Sequence, residues 1–141
     1  IGADMLLSAG LSNSVAAIVR SHHERWAGGG YPDGLEGDVI PIGARILSVV
    51  DCFDALTSNR PYRARLQDAD ALHILKRQRG KMYDPSVVDA FVTLVARTRP
   101  VKASFSLRRR EAHIYNAASL YNAASLAVRA GTEQCVKKSL S

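Results

Sequence analysis

Cysteine is scarce in this chain. Only Cys52 and Cys135 occur in 141 residues, far apart and outside any Cys-x-x-Cys pair, which excludes a disulfide scaffold. Cys52 lies in an apolar helical run and reads as a small buried hydrophobe. Long apolar runs are missing too, and none approaches the ~20 residues that a membrane span needs. The beginning lacks the basic segment, apolar stretch and small-residue cleavage site of a secretory signal. A cytoplasmic setting is the expectation these absences leave. The first hundred residues also lack an excess of charge, with 12 Lys and Arg against 11 Asp and Glu. Residues 101–141 carry 7 against 2, so the overall +6 belongs mainly to the tail. A nucleic-acid-binding face on the globular part is therefore not expected. Arg108-Arg109-Arg110 does not supply one either, because no aromatic residues interleave with it.

What is present is a chain 47% hydrophobic, enough for one domain with a core. Before residue 100 no segment alternates as a strand would, and the expected class is an all-α helical bundle. Ile1, Met5 and Leu6 have helical spacing with no capping residue ahead of them, so the chain opens inside a helix and reads as a fragment or processed product. That helix ends near Gly10. Ser12 or Ser14 is placed to cap a second, with Val15, Ile18, Val19 and His22 at i, i+3, i+4 and i+7. Residues 27–38 hold five glycines and read as a loop.

Pro41 suits the first turn of a third helix running to about Thr57, with Ile42, Ile46, Val49, Phe53 and Leu56 on one stripe. Arg60-Pro61-Tyr62 breaks that pattern. Asp68 caps a fourth helix through Leu72 and Leu75, ended by Gly80. Asp84-Pro85 reads as cap and first-turn proline of a fifth, carrying Val88, Phe91, Val92 and Val95 and stopped by Pro100. Residues 1–100 form the expected domain. The basic tail, 101–141, contains the direct repeat Tyr115–Leu120 and Tyr121–Leu126, too short for any helical repeat family. It is expected to be poorly ordered or marginally helical.

The chemistry concentrates around His22-His23-Glu24 and the run Gly28-Gly29-Gly30-Tyr31-Pro32-Asp33-Gly34. Imidazole is the commonest protein metal ligand, and glycines allow close backbone approach to a ligand. Taken alone, the pair reads as a hydrogen-bonded core His22 and an exposed His23. Asp51, set mid-helix among Val49, Val50, Cys52 and Phe53, is expected to point inward, where a carboxylate needs a partner or a metal. A buried arginine such as Arg45 is one partner. The other reading makes His22, His23 and Asp51 three N/O ligands from two helices, suited to iron, manganese or zinc. Asp54 stands one turn on as a supporting or a solvated group. Glu24 is placed either to bond a histidine or to face solvent. Arg60, Arg63 and Arg65 around Tyr62 form a solvated basic turn or, beside a metal, a phosphate clamp.

Together with Ile40-Pro41-Ile42-Gly43-Ala44-Arg45-Ile46, Asp54-Ala55-Leu56-Thr57, Arg60-Pro61-Tyr62-Arg63 and Tyr83-Asp84-Pro85, these motifs resemble the HD-GYP family. Its members are bacterial metal-dependent phosphodiesterases of cyclic di-GMP within the HD phosphohydrolase superfamily. The resemblance extends to about residue 97. It implies a helical bundle holding a di- or trinuclear iron or manganese centre, and hydrolysis of cyclic di-GMP to pGpG or GMP. By resemblance His22, His23 and Asp51 are metal ligands, and Arg60 and Arg63 hold substrate phosphates. Gly30, Tyr31 and Pro32 form a loop that handles substrate and contacts diguanylate cyclase or adaptor domains. The family's His-Asp pair, its lysine and further ligands precede the matched segment, and Ala27 replaces a frequent aspartate. The expectation is a C-terminal piece of the domain that is inactive alone. The alternative is a degenerate module that binds cyclic dinucleotides or signalling partners without catalysis.

Overall fold

A computed structural model describes residues 2–59 and 64–99. The expectations for Arg60, Arg63 and the 101–141 tail lie outside these residues. The described residues form five α-helices: α1 Gly2–Ser8, α2 Asn13–Ser21, α3 Ile42–Thr57, α4 Asp68–Gln78 and α5 Pro85–Thr98. A single 3-10 turn, Gly37–Val39, precedes α3. Among them is no strand, only an isolated bridge between Arg79 and Tyr83. The all-α expectation holds, and α3 and α5 begin at their proline signals, but Asp68 is the first residue inside α4, with Gln67 at the cap position. Asp84 caps α5 by accepting the Ser86 N–H at 2.8 Å, with Pro85 in the first turn where no N–H is required. Ser12 precedes α2, but its hydroxyl bonds Ser14 and no helix N–H. Among the described residues, no helix is long and apolar enough to cross a membrane.

α3 is the central element and packs against α2, α4 and α5, while α1 lies on α2. Its buried face is Ala44, Ser48, Val49, Cys52, Phe53 and Leu56. This corrects the expected stripe. Val49, Phe53 and Leu56 are inside, but Ile42 is 54% and Ile46 47% exposed. Apolar character alone cannot say which edge of a helix gets covered. Here the face rotates toward the small residues because α2 approaches closely. A Cβ at Gly43 would lie 2.5 Å from Ile18 Cδ1, so the glycine admits that side chain. On the other side, Leu72, Ile74 and Leu75 of α4 and Val88 and Val95 of α5 complete the core. Phe53 and Phe91 meet edge to face at 5.1 Å, the arrangement ring quadrupoles favour.

Cys52 is buried, as its apolar surroundings suggest, and burial pushes its thiol up to about 11 from 9.0. About a hundredfold less thiolate is then present at neutral pH. In a Cys135→Ser chain, a thiol reagent should label Cys52 at least about a hundredfold more slowly in buffer than in urea. Equal rates would show that the α3 core opens freely.

Candidate functional site

α2 ends at Ser21, and His22 follows as its C-cap with helical backbone angles. His22 Nδ1 lies 2.6 Å from the Val19 carbonyl oxygen. A carbonyl can only accept, so Nδ1–H donates, and in the neutral form of the ring the lone pair is on Nε2. That is the arrangement by which a second bond orients a metal-ligating histidine. The His22 and His23 ring centroids are 3.9 Å apart, and both residues are half-buried. Burial lowers the His23 pKa, the neighbouring His22 lowers it further, and Asp51 opposes both. At neutral pH His23 is thus a neutral, ligand-competent imidazole. Tyr31 stacks on it at 4.9 Å with 22° between planes.

The loop that carries Tyr31 is pinned on every side. Trp26 N–H donates to Met82 O at 3.1 Å and Ala27 N–H to Lys81 O at 2.9 Å, joining it to the α4–α5 connection. Arg20 grips Asp33 with two bonds, 2.8 and 2.6 Å, and this pairing holds the Asp33 carboxyl below its ordinary range. Tyr31–Pro32 is a cis peptide. At Gly30 the chain folds against itself: a Cβ there would collide with Glu24 Cα and the Arg25 nitrogen and sit 2.7 Å from the Glu24 carbonyl carbon.

Asp51 departs from expectation. It is exposed, although Ala44, two turns back on the same edge of α3, is fully buried. Glu24 and Trp26 line one cavity with Ala44 and Ser48 of α3. Asp51 still acts electrostatically on His23. Asp54 is exposed and accepts from the Ser58 hydroxyl at 3.3 Å. Among the described residues, no three His, Cys, Asp or Glu side chains gather closely enough to hold a metal ion. What is present is a pair of adjacent imidazoles, with Asp51 acting electrostatically on His23.

Two groups carry more of the architecture than their sequence positions suggested. Glu24 neither bonds a histidine nor faces solvent. It is 5% exposed, and its Oε1 accepts the N–H of Asp33 at 2.7 Å and of Gly34 at 3.0 Å. Arg45 Nη1 donates to Asp38 at 2.8 Å and to Asp84 at 2.9 Å. The motif His-His-Glu gave no hint of the first, because the donating amides lie nine and ten residues on across a loop. Asp84 was legible only as a cap, and Arg45 only as a partner for Asp51, whereas it bonds Asp38 and Asp84.

A family model described as an HD domain matches residues 2–87. The chain belongs to the HD domain family. Among relatives, this HD domain is 47% identical over 91 residues to a cyclic di-GMP phosphodiesterase response regulator of Xanthomonas campestris, covering 64% of this chain and 24% of that protein. It is 46% identical over 79 residues to a cyclic di-GMP phosphodiesterase of Thermotoga maritima, covering 56% and 22%. It is 42% identical over 72 residues to a 3'3'-cGAMP-specific phosphodiesterase of Vibrio cholerae, covering 51% and 14%. A crystal structure of a cyclic GMP-AMP specific phosphodiesterase from V. cholerae superposes with a TM-score of 0.61 at 28% identity, over 70% of this chain and 22% of that one. The chain spans about a quarter or less of the length of these relatives. They agree with the HD-GYP resemblance that the motifs carry.

Proposed function

We propose that this HD domain is part of a metal-dependent phosphodiesterase that hydrolyses cyclic di-GMP, to pGpG or GMP, or a related cyclic dinucleotide. The observation that carries this reading is the oriented His22–His23 pair seated against the Tyr31 loop, within the segment that aligns with phosphodiesterase relatives. His22, through its Nε2 lone pair, His23 and Asp51 are the ligands this chain offers to an iron or manganese centre of two or three ions. When bound, such a centre supplies Lewis-acid activation of the phosphodiester. Arg60 and Arg63 are the proposed phosphate contacts, since a guanidinium pairs two donors with two phosphate oxygens. Gly30, Tyr31 and Pro32 border the substrate, with Tyr31 also holding the His23 ring in place. The setting consistent with a cyclic dinucleotide substrate is the cytoplasm.

Three ligands are fewer than a centre of two or three ions takes, so we propose little or no catalysis by this chain alone. Titration with Mn²⁺ should show weak binding that falls at least about tenfold in His22→Ala and in His23→Ala. Cyclic di-GMP and Mn²⁺ should give no turnover above the metal-only background. Mn²⁺ affinity unchanged in both variants would overturn the ligand assignment. Turnover in the ordinary enzymatic range of ~1–10³ s⁻¹ would overturn the inactivity.

The same shortfall supports a second reading, a module that binds a cyclic dinucleotide, a diguanylate cyclase or an adaptor domain through the Gly-Tyr-Pro loop, where Pro32 is exposed. Partner capture lost in Tyr31→Ala, without metal binding, would favour it.

A further inference from the structure

The imidazole pair accounts for one side of the Glu24–Gly34 loop; the other side borders a small cavity that it does not use. Glu24, Trp26, Ile40, Ala44, Arg45, Ser48, Met82 and Asp84 line a cavity of ≈ 10 Å³. Two ionisable side chains end there with work undone. Glu24 Oε1 holds the loop backbone, but Oε2 is buried without a hydrogen-bond partner among the described residues. Arg45 Nη1 holds Asp38 and Asp84, but its Nε is buried and likewise without a partner. One atom is acceptor-only and the other donor-only. Ser48 Oγ, which donates to the Arg45 carbonyl at 2.9 Å, keeps lone pairs to accept a further bond. The volume is about that of one water-sized sphere.

We propose that a single internal water occupies this cavity, accepting from Arg45 Nε–H and donating to Glu24 Oε2 and Ser48 Oγ. Glu24 thereby becomes the positioning residue of the loop, with one carboxylate oxygen on the Asp33 and Gly34 amides and the other bridged to α3. A metal cation does not suit the site, because the Arg45 guanidinium already supplies its positive charge. A dry cavity would leave two buried polar atoms with unmade bonds, which costs more than immobilising one water. Through Asp84 the same network reaches the start of α5, so three segments distant in sequence are held by one polar cluster. The loop conformation so fixed is the one that lays Tyr31 on His23. The proposal does not depend on the phosphodiesterase reading.

The test uses the intact chain and two readouts. A crystal structure at high resolution should show one density peak within hydrogen-bond distance of both Glu24 Oε2 and Arg45 Nε. A direct Glu24–Arg45 bond, or an empty cavity, would overturn the proposal. By NMR, Glu24→Ala should lose the Tyr31–His23 ring contacts while keeping its helix content. The emission of Trp26, the sole tryptophan, should move to longer wavelength. Glu24→Gln, which retains an acceptor for the two loop amides, should restore the ring contacts. If Glu24→Ala does not fold, the crystal density and the Gln variant decide. Ring contacts unchanged in a folded Ala variant would show that Glu24 does not position the loop.

Discussion

Gly30→Ala is expected to destabilise the chain by about 3 kcal/mol, the upper range for forced overpacking, and to release the loop from the imidazole pair. The added methyl would meet backbone on the Glu24–Arg25 side, and backbone cannot turn away as the end of a side chain can. The loop must therefore move outward. That movement breaks the bonds from the Asp33 and Gly34 amides to Glu24, and the 3.4 Å bond from Tyr31 N–H to the His23 carbonyl. Gly29→Ala is the control. Gly29 has φ +73° with nothing within 4 Å of its would-be Cβ, so only the left-handed backbone penalty of ~1–2 kcal/mol applies. Urea midpoints give the stabilities, and Tyr31–His23 ring contacts by NMR report the loop. Equal costs for the two substitutions would show that the loop yields at Gly30 and that the close approach is not required.

Asp84→Ala is the second large effect, an expected loss of about 4 kcal/mol. Asp84 is 3% exposed and serves two roles at once, partner to Arg45 at 2.9 Å and cap of α5 through Ser86. Removing one member of a buried pair costs about 3 kcal/mol or more, because the other charge stays behind. Asp38, whose side chain is largely in water, relieves Arg45 only in part. Losing the cap adds about 1 kcal/mol. Asp84→Asn separates the two, since asparagine caps a helix as well as aspartate but carries no charge. It should lose mainly the pair.

The same residue sets part of the acid response. Burial alone would raise the Asp84 pKa, but the bonds from the Ser86 hydroxyl and amide and from Arg45 outweigh it and leave it below 3.8. A carboxyl depressed in the folded state stabilises at every pH above its unfolded value and loses that contribution as the pH falls through the folded one. Below pH ~4 the native chain should therefore lose stability more steeply than Asp84→Asn. Some acid slope should remain in the variant, because Arg20 and Arg79 hold Asp33 and Asp89 low in the same way. Parallel acid profiles would show that the Asp84 carboxylate is not depressed.

Local signals were enough to place the helices. Asp84-Pro85 marks the start of α5 and Pro41 that of α3, because caps and proline act over one turn and need no tertiary contact. The position of His22 and His23 at the end of α2 was likewise readable from spacing. Burial was less so. Ile42 and Ile46 look like core and lie outside, while Ala44 and Ser48 lie inside, because the close α2–α3 approach at Gly43 selects the small-residue edge. Asp51 looks enclosed by its apolar neighbours and is exposed, since neighbours in sequence on a helix point in different directions and cover nothing for one another.

The sequence by itself determined the helical class, the helix termini, the motifs that place the chain among HD domains and the candidate ligands His22, His23 and Asp51. Each of these is a short-range pattern, set by backbone geometry or by residue type at fixed spacing. Only the tertiary structure decided that Glu24 closes the loop, that Arg45 joins Asp38 and Asp84, and that Tyr31 stacks on His23. These contacts join residues up to 39 positions apart, as Arg45 and Asp84 are. A buried charge is satisfied by whatever folding brings within about 3 Å of it, and that distance is not written in sequence order.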